Sequence, residues 1–154
     1  MQKITPFLWF SDKAEEAIRF YATLFPDAKI VGEQRMPDGS LMTATLDIGG
    51  ERISVLNGAP PHTTFTEAFS LFVACEDQAE VDRLWSALTA DGGAESMCGW
   101  CKDKYGLSWQ IIPNEMVEMF SDSDQEKTGR AMQAMLKMQK IDVAELRKAF
   151  EGTA

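Results

Sequence analysis

The residues of this 154-residue chain that could do covalent or metal chemistry are few, and most fall late. Cys98-Gly-Trp-Cys101 has the C-x-x-C spacing of redox dithiols and of half zinc sites. A redox dithiol needs its first thiol at a helix N-terminus, where the dipole favours thiolate. "CGWCKDKYGLSWQI" (Cys98 to Ile111) instead runs into strand-like sequence, which supplies no such dipole. A zinc site needs two further ligands, and Cys75 and His62 are the only soft candidates left. The two cysteines therefore read as buried or half-buried free thiols. His62, the sole histidine, sits in the loop-forming "PPHTT" without a visible partner that would make it a base. Asp103 stands three residues before Gly106, where an aspartate bonds its own backbone, and reads as a turn-former rather than a general acid. Trp9, Trp100 and Trp109 lie in strand-like runs, where alternation sends each either under a helix or into a cavity.

The elements that must position these side chains can be read from pattern. "ITPFLWF" (Ile4 to Phe10) has strand length and breaks at Ser11-Asp12, a good N-cap pair followed by Glu15 and Glu16. Ala17, Phe20, Tyr21 and Leu24 then fall at i, i+3, i+4, i+7, an apolar helix face that Pro26-Asp27 ends. "AKIVGEQRM", "LMTATLDI" and "RISVLN" read as strands joined by Asp-Gly and Gly-Gly turns. "NGAPPHTTFTE" (Asn57 to Glu67) is linker-like. The order then repeats: "FSLFVACED" is a strand, and Val81, Leu84, Trp85 and Leu88 form a helix face, each 64 residues after its counterpart in the first helix. "DGG" (Asp91 to Gly93) reads as a glycine cap, followed by "AESMCGWC", a turn at "KDKYG", and "LSWQIIP".

The fold class is thus α+β, one domain over 1–154: a β-α-β-β-β module at 3–57, a linker at 58–67, a second module at 68–113 and a helical tail at 114–154. In the tail, Ala131, Met132, Met135 and Met138 make a stripe suited to packing on the chain's own sheet or on a partner subunit, and Asp142 with Glu145 makes a capping-box-like pair. A net charge of −9 argues against nucleic acid and anionic membrane as partners. No run approaches the ~20 apolar residues of a membrane span, and the N-terminal apolar run meets Asp12 too early for a signal peptide. Three cysteines, an odd number, suggest reduced thiols in the cytoplasm.

The segments "AIRFYATLFPDAKI", "EAFSLFVACED" with "AEVDRLW", "CGWCKDKYGLSWQIIP" and "AMLKMQKID" resemble the vicinal oxygen chelate superfamily, which holds glyoxalase I, ring-cleaving dioxygenases and antibiotic-resistance proteins. Within it they are most similar to the PhnB-like branch labelled 3-demethylubiquinone-9 3-methyltransferase, and D-x-x-G-x-x-W-Q-I is the most specific piece. The resemblance implies paired modules whose sheets curl into an open barrel around a cavity, and a homodimer. Metal-dependent members place His or Glu on the first and last strand of each module. The matching positions here are Thr5, Phe69 (or Ser70 if the register slips by one), Ser54 and Gln110, none an imidazole or carboxylate, so no metal and no other cofactor is expected. The methyltransferase label expects a glycine-rich strand-to-helix loop. The nearest stretch, "DIGGE" (Asp47 to Glu51), lies between two strands. The expected function is a metal-independent small-molecule-binding protein or enzyme whose ligand meets Ser54, Gln110, Trp100, Thr5 and Phe69. If Gln110 faces the cavity, Trp109 must turn the other way. The alternatives are a methyltransferase and a dimeric interaction module with a collapsed cavity.

Overall fold

A computed structural model describes residues 2–58 and 64–153. The chain divides into two compact units, residues 1–64 and 65–154, and each holds one β-α-β-β-β module. His62 lies outside the described residues.

In the first unit, β1 (Phe7–Phe10), α1 (Ala14–Ala22), β2 (Lys29–Arg35), β3 (Leu41–Ile48) and β4 (Glu51–Asn57) form an open sheet ordered β1-β4-β3-β2. β1 runs parallel to β4, and the other pairs are antiparallel. β1 starts at Phe7 rather than at Ile4 as the sequence suggests. Pro6 has no N–H for a ladder, yet its carbonyl accepts from Ser54 N–H at 2.9 Å. The Gly49-Gly50 turn has positive φ at both residues, as a two-residue hairpin between right-twisted strands requires.

Helix α1 buries Ala14, Ala17, Ile18 and Tyr21, with Leu24 just beyond its end. Phe20 stands on the flank, half-buried, so the apolar stripe is rotated toward Ile18 relative to the expected one. Ser11-Asp12 do not cap it. The cap residue is Lys13, without a side-chain bond, and Ala14 N–H donates instead to Asn57 Oδ1, 2.8 Å away on β4. A long-range amide thus does what a local serine or aspartate usually does.

In the second unit, β5 (Ser70–Cys75), α2 (Gln78–Thr89), β6 (Ala94–Glu95), β7 (Trp100–Lys102) and β8 (Ser108–Pro113) repeat the order, with the sheet arranged β5-β8-β7-β6. Val81, Leu84, Trp85 and Leu88 are all buried, as their spacing predicts. Asp77 caps α2 by accepting from Glu80 N–H at 2.9 Å. The helix ends differently from the expected glycine cap: Ala90 is extended (φ −71°, ψ 163°), and the Asp91-Gly92 turn follows it.

Three tail helices complete this unit: α3 (Asn114–Phe120), α4 (Gln125–Met135) and α5 (Val143–Glu151). Ile112 of β8, Met116 and Met119 of α3, Ala131, Ile141 and Leu146 bury one another, so the tail packs on its own sheet. Met132 of the expected stripe stays exposed, while Met135 and Met138 pack against this cluster. Asp142 caps α5 through Glu145 N–H, as its pattern suggests. Among the described residues no helix is long and apolar enough to cross a membrane.

Candidate functional site

Each sheet has one face under its module helix and one face turned away, and strand alternation assigns residues to them. In the second unit, Trp109 and Ile111 are fully buried on the α2 side, joined there by Cys101, which is directly opposite Trp109. The other face carries two cross-strand rows. Phe72, Gln110 and Trp100 stand side by side on β5, β8 and β7; Ser70, Ser108 and Lys102 form the next row. Gln110 and Trp109 therefore do point to opposite faces.

A cleft of about 360 Å³ opens over the first row. Its sheet wall is made by Phe72, Trp100, Gln110 and Ile112, with Cys98 beside them. Its opposite wall comes from the tail: Met116, Val117, Phe120 and Ser121 of the α3 region and Met135 of α4. Gln110 Nε2 donates to Ser70 Oγ at 2.9 Å. Ser121 Oγ donates to Val117 O at 2.9 Å, which leaves its lone pairs facing outward from that bond. In the adjoining row, Ser108 Oγ is buried without a hydrogen-bond partner.

The turn that feeds β8 explains the D-x-x-G-x-x-W spacing. Asp103 Oδ1 accepts from Tyr105 N–H (2.9 Å) and Leu107 N–H (3.1 Å), and Oδ2 accepts from the Trp109 indole at 3.0 Å. Gly106 supplies the positive φ of the turn (88°). Asp103, only 2% exposed, is thus a structural aspartate that locks Trp109 on the helix side and so presents Gln110 on the other.

The two thiols of the C-x-x-C lie on opposite faces: Cys98 lines the cleft and Cys101 is buried with Trp109. Burial, reinforced by Asp103 and Glu95, pushes the Cys101 thiol up to about 12. Cys75 is pushed to about 12 as well, mainly by burial and then by Glu80. All three cysteines are free. Cys98 and Gly99 both have positive φ (61° and 84°), because their N–H groups turn to donate to Met138 O and Gln139 O of the tail, each at 2.8 Å.

The remaining expected site residues are placed as follows. Ser54 is buried on the non-helix face of the first sheet, flanked by Phe7 and by Thr45, whose hydroxyl is 2.9 Å from its own. Thr5 is half-buried ahead of β1. Phe69 precedes β5 and is 42% exposed, outside the cleft lining. Phe7 pairs with Ser54 as Phe72 pairs with Gln110, so the first strands of the modules repeat at 65 residues and the last at 56, whereas the helices repeat at 64. The one-residue difference makes Ser70, not Phe69, the counterpart of Thr5. Phe72 and the tail residues were not anticipated as lining. Phe72 was available from this strand register, and Met116, Val117 and Phe120 fall at helical spacing directly after Pro113.

Thr5, Ser54, Ser70 and Gln110 offer hydroxyls and an amide, a donor set that does not fit a transition-metal chelate. Among the described residues no group of three or more His, Cys, Asp or Glu side chains could hold a metal ion. The "DIGGE" stretch is the β3–β4 hairpin, so it is not the strand-to-helix loop of a doubly wound methyl-donor site.

Comparison with known proteins agrees with this architecture. The sequence model of the family described as 3-demethylubiquinone-9 3-methyltransferase matches residues 2–112. A PhnB protein from Bacillus cereus is 36% identical, with 73% of this chain and 99% of that one covered and a TM-score of 0.68. A Pseudomonas aeruginosa protein (20% identity; 73% and 98% covered; TM-score 0.59) and a Bacillus cereus protein described as a possible glyoxalase (16%; 72% and 99%; 0.52) share the fold. Comparison with curated proteins gives no match. The family match ends at residue 112, so "AMLKMQKID" and the rest of the tail lie beyond it. With its paired modules and most of its sequence matched, the chain belongs to the PhnB-like, 3-demethylubiquinone-9 3-methyltransferase branch of the vicinal oxygen chelate superfamily.

Proposed function

We propose that this protein binds a small organic molecule on the non-helix face of its second sheet, and does so without a transition metal. The observation that carries the reading is the row Phe72–Gln110–Trp100 under a 360 Å³ cleft. Two aromatic faces flank one amide there, and the volume is at the small end of the range for ligand sites, ~300–1,000 Å³. The hydroxyl and amide groups of Thr5, Ser54, Ser70 and Gln110, none a usual transition-metal ligand, support metal independence. The free thiols suit a cytoplasmic setting, and the exposed Phe7 and Trp9 of the first sheet suit a homodimer, which light scattering would test.

The test is thermal stabilisation by a small-molecule panel, with and without chelator, on wild type and Gln110→Leu. Stabilisation that survives chelation and weakens in the variant supports the reading. Stabilisation that requires added metal, or is identical in Gln110→Leu, overturns it. The family description favours a second reading, a methyltransferase. Saturable binding of S-adenosylmethionine by calorimetry would single that one out.

A further inference from the structure

Beyond residue 112, where the family match stops, the chain builds half of its own cleft. We infer that the tail helices are the specificity wall of this site and select an uncharged aromatic ligand bearing a hydroxyl. The inference rests on the proposed binding reading and adds the ligand class and the element that chooses it.

Three observations converge. The first is placement. The tail is held to the sheet side by main-chain bonds from Cys98 and Gly99, and to helix α2 by Gln78, whose amide donates to Ile141 O (2.9 Å) and accepts from Val143 N–H (2.8 Å). At Gly99 a Cβ would lie 2.7 Å from Ile112 Cδ1 and 3.1 Å from Ile141 Cγ1, so sheet and tail meet there without spare room. A wall anchored in this way is preformed rather than recruited by ligand.

The second is the absence of charge. Among the described residues the cleft lining carries no Asp, Glu, Lys, Arg or His. An ionised ligand would lose hydration there with nothing to replace it. The chain's net charge of −9 further disfavours anions.

The third is the polar inventory. Gln110 spends one N–H on Ser70, leaving its amide oxygen as an acceptor and a second N–H. Ser121 spends its proton on Val117 O and keeps only acceptor capacity. Two acceptors and one donor suit a hydroxyl, which both donates and accepts. Phe72 and Trp100 on one side, with Phe120 and Met116 on the other, suit a flat ring between them.

The experiment titrates 2-naphthol, 2-methoxynaphthalene and 2-naphthoate into the full chain at pH 7 and follows amide shifts by NMR. Expected is 2-naphthol binding with shifts at both walls, roughly threefold to tenfold tighter than the methyl ether, which cannot donate. The carboxylate should bind at least about tenfold more weakly than 2-naphthol. Val117→Trp, at an exposed α3 position, should retain the fold and lose 2-naphthol, whereas Gln110→Leu should abolish the preference over the ether. Tighter binding of the carboxylate, or Val117→Trp binding unchanged, overturns the inference. So does a 2-naphthol response confined to residues 1–64, or no response to any of the three. The panel experiment above decides the broader reading separately, since a molecule of another class can stabilise the protein while these probes fail.

Discussion

Replacing Asp103 distinguishes a turn-forming carboxylate from a chemical one. Asp103→Asn keeps one carbonyl oxygen for Tyr105 and Leu107 N–H but turns an NH₂ toward the buried Trp109 indole, donor against donor. A charged acceptor is worth about 1.5–3 kcal/mol to its donor, and a stranded buried donor costs about 1–3 kcal/mol, so the variant should lose about 2–3 kcal/mol. For a chain of this size, that lowers Tm by roughly 5–10 °C. Asp103→Ala strands Leu107 N–H as well, raising the loss to about 3–5 kcal/mol; Tyr105 N–H lies nearer solvent. Trp109→Phe removes the opposing donor, so Asp103→Asn should cost about 1–2 kcal/mol less in that background. Circular dichroism melts at pH 7 of wild type, the three single variants and the Asp103→Asn/Trp109→Phe double variant measure each term. Asp103→Asn melting within about 1 °C of wild type would refute the network. Loss of ligand binding or turnover without loss of stability would make Asp103 a chemical group instead.

Other consequences can be checked as directly. Only Cys98 should react rapidly with a thiol reagent at pH 8, because Cys75 and Cys101 remain protonated up to about 12; two or three fast thiols by mass spectrometry would contradict this. Since folding raises both thiols above their unfolded value of 9.0, the unfolded chain releases protons first, and stability should fall as pH rises from 9 toward 12, measured by urea unfolding. Gly99→Ala combines a left-handed φ with a 2.7 Å approach to Ile112 and should destabilise by about 2–4 kcal/mol, exposing the tail to limited proteolysis. Asn57→Ala removes the cap on Ala14 N–H and the bond to Leu41 O, and should cost about 1–2 kcal/mol in urea unfolding.

Much of the architecture was legible because it is written in local periodicity. The faces Val81–Leu88 and Ala17–Leu24 set both helices, and Asp-Gly and Gly-Gly set the hairpins. What escaped was set by contacts distant in sequence. Lys13 replaces Ser11-Asp12 as helix cap because Asn57, 43 residues from Ala14, supplies the bond to the Ala14 N–H. Phe20 yields to Ile18 because the sheet, not the helix alone, decides which stripe is buried. The site was half legible. Gln110 and Trp100 follow from alternation once Trp109 is known to face inward, but the helix spacing of 64 leaves Phe69 and Ser70 both open, and only the pairing of the first strands, offset by 65, selects Ser70. The second wall was hidden because α3 and α4 reach the cleft only through tertiary packing on Ile112.

The tether between sheet and tail has a consequence for how such a site can change. The bonds at Cys98 and Gly99 join main-chain N–H groups to the main-chain oxygens of Met138 and Gln139. They are indifferent to the side chains at 138 and 139. Val117 and Ser121, by contrast, line the cleft without belonging to the apolar cluster that packs the tail on the sheet. Position and chemistry are thus encoded in separate atoms, and one can be rewritten while the other is held. A library randomised at Val117 and Ser121 should therefore yield folded proteins with altered ligand preference at high frequency, whereas substitutions at Gly99 should be nearly barren. Such modularity would let selectivity change through a short segment of the tail while the scaffold under it is held.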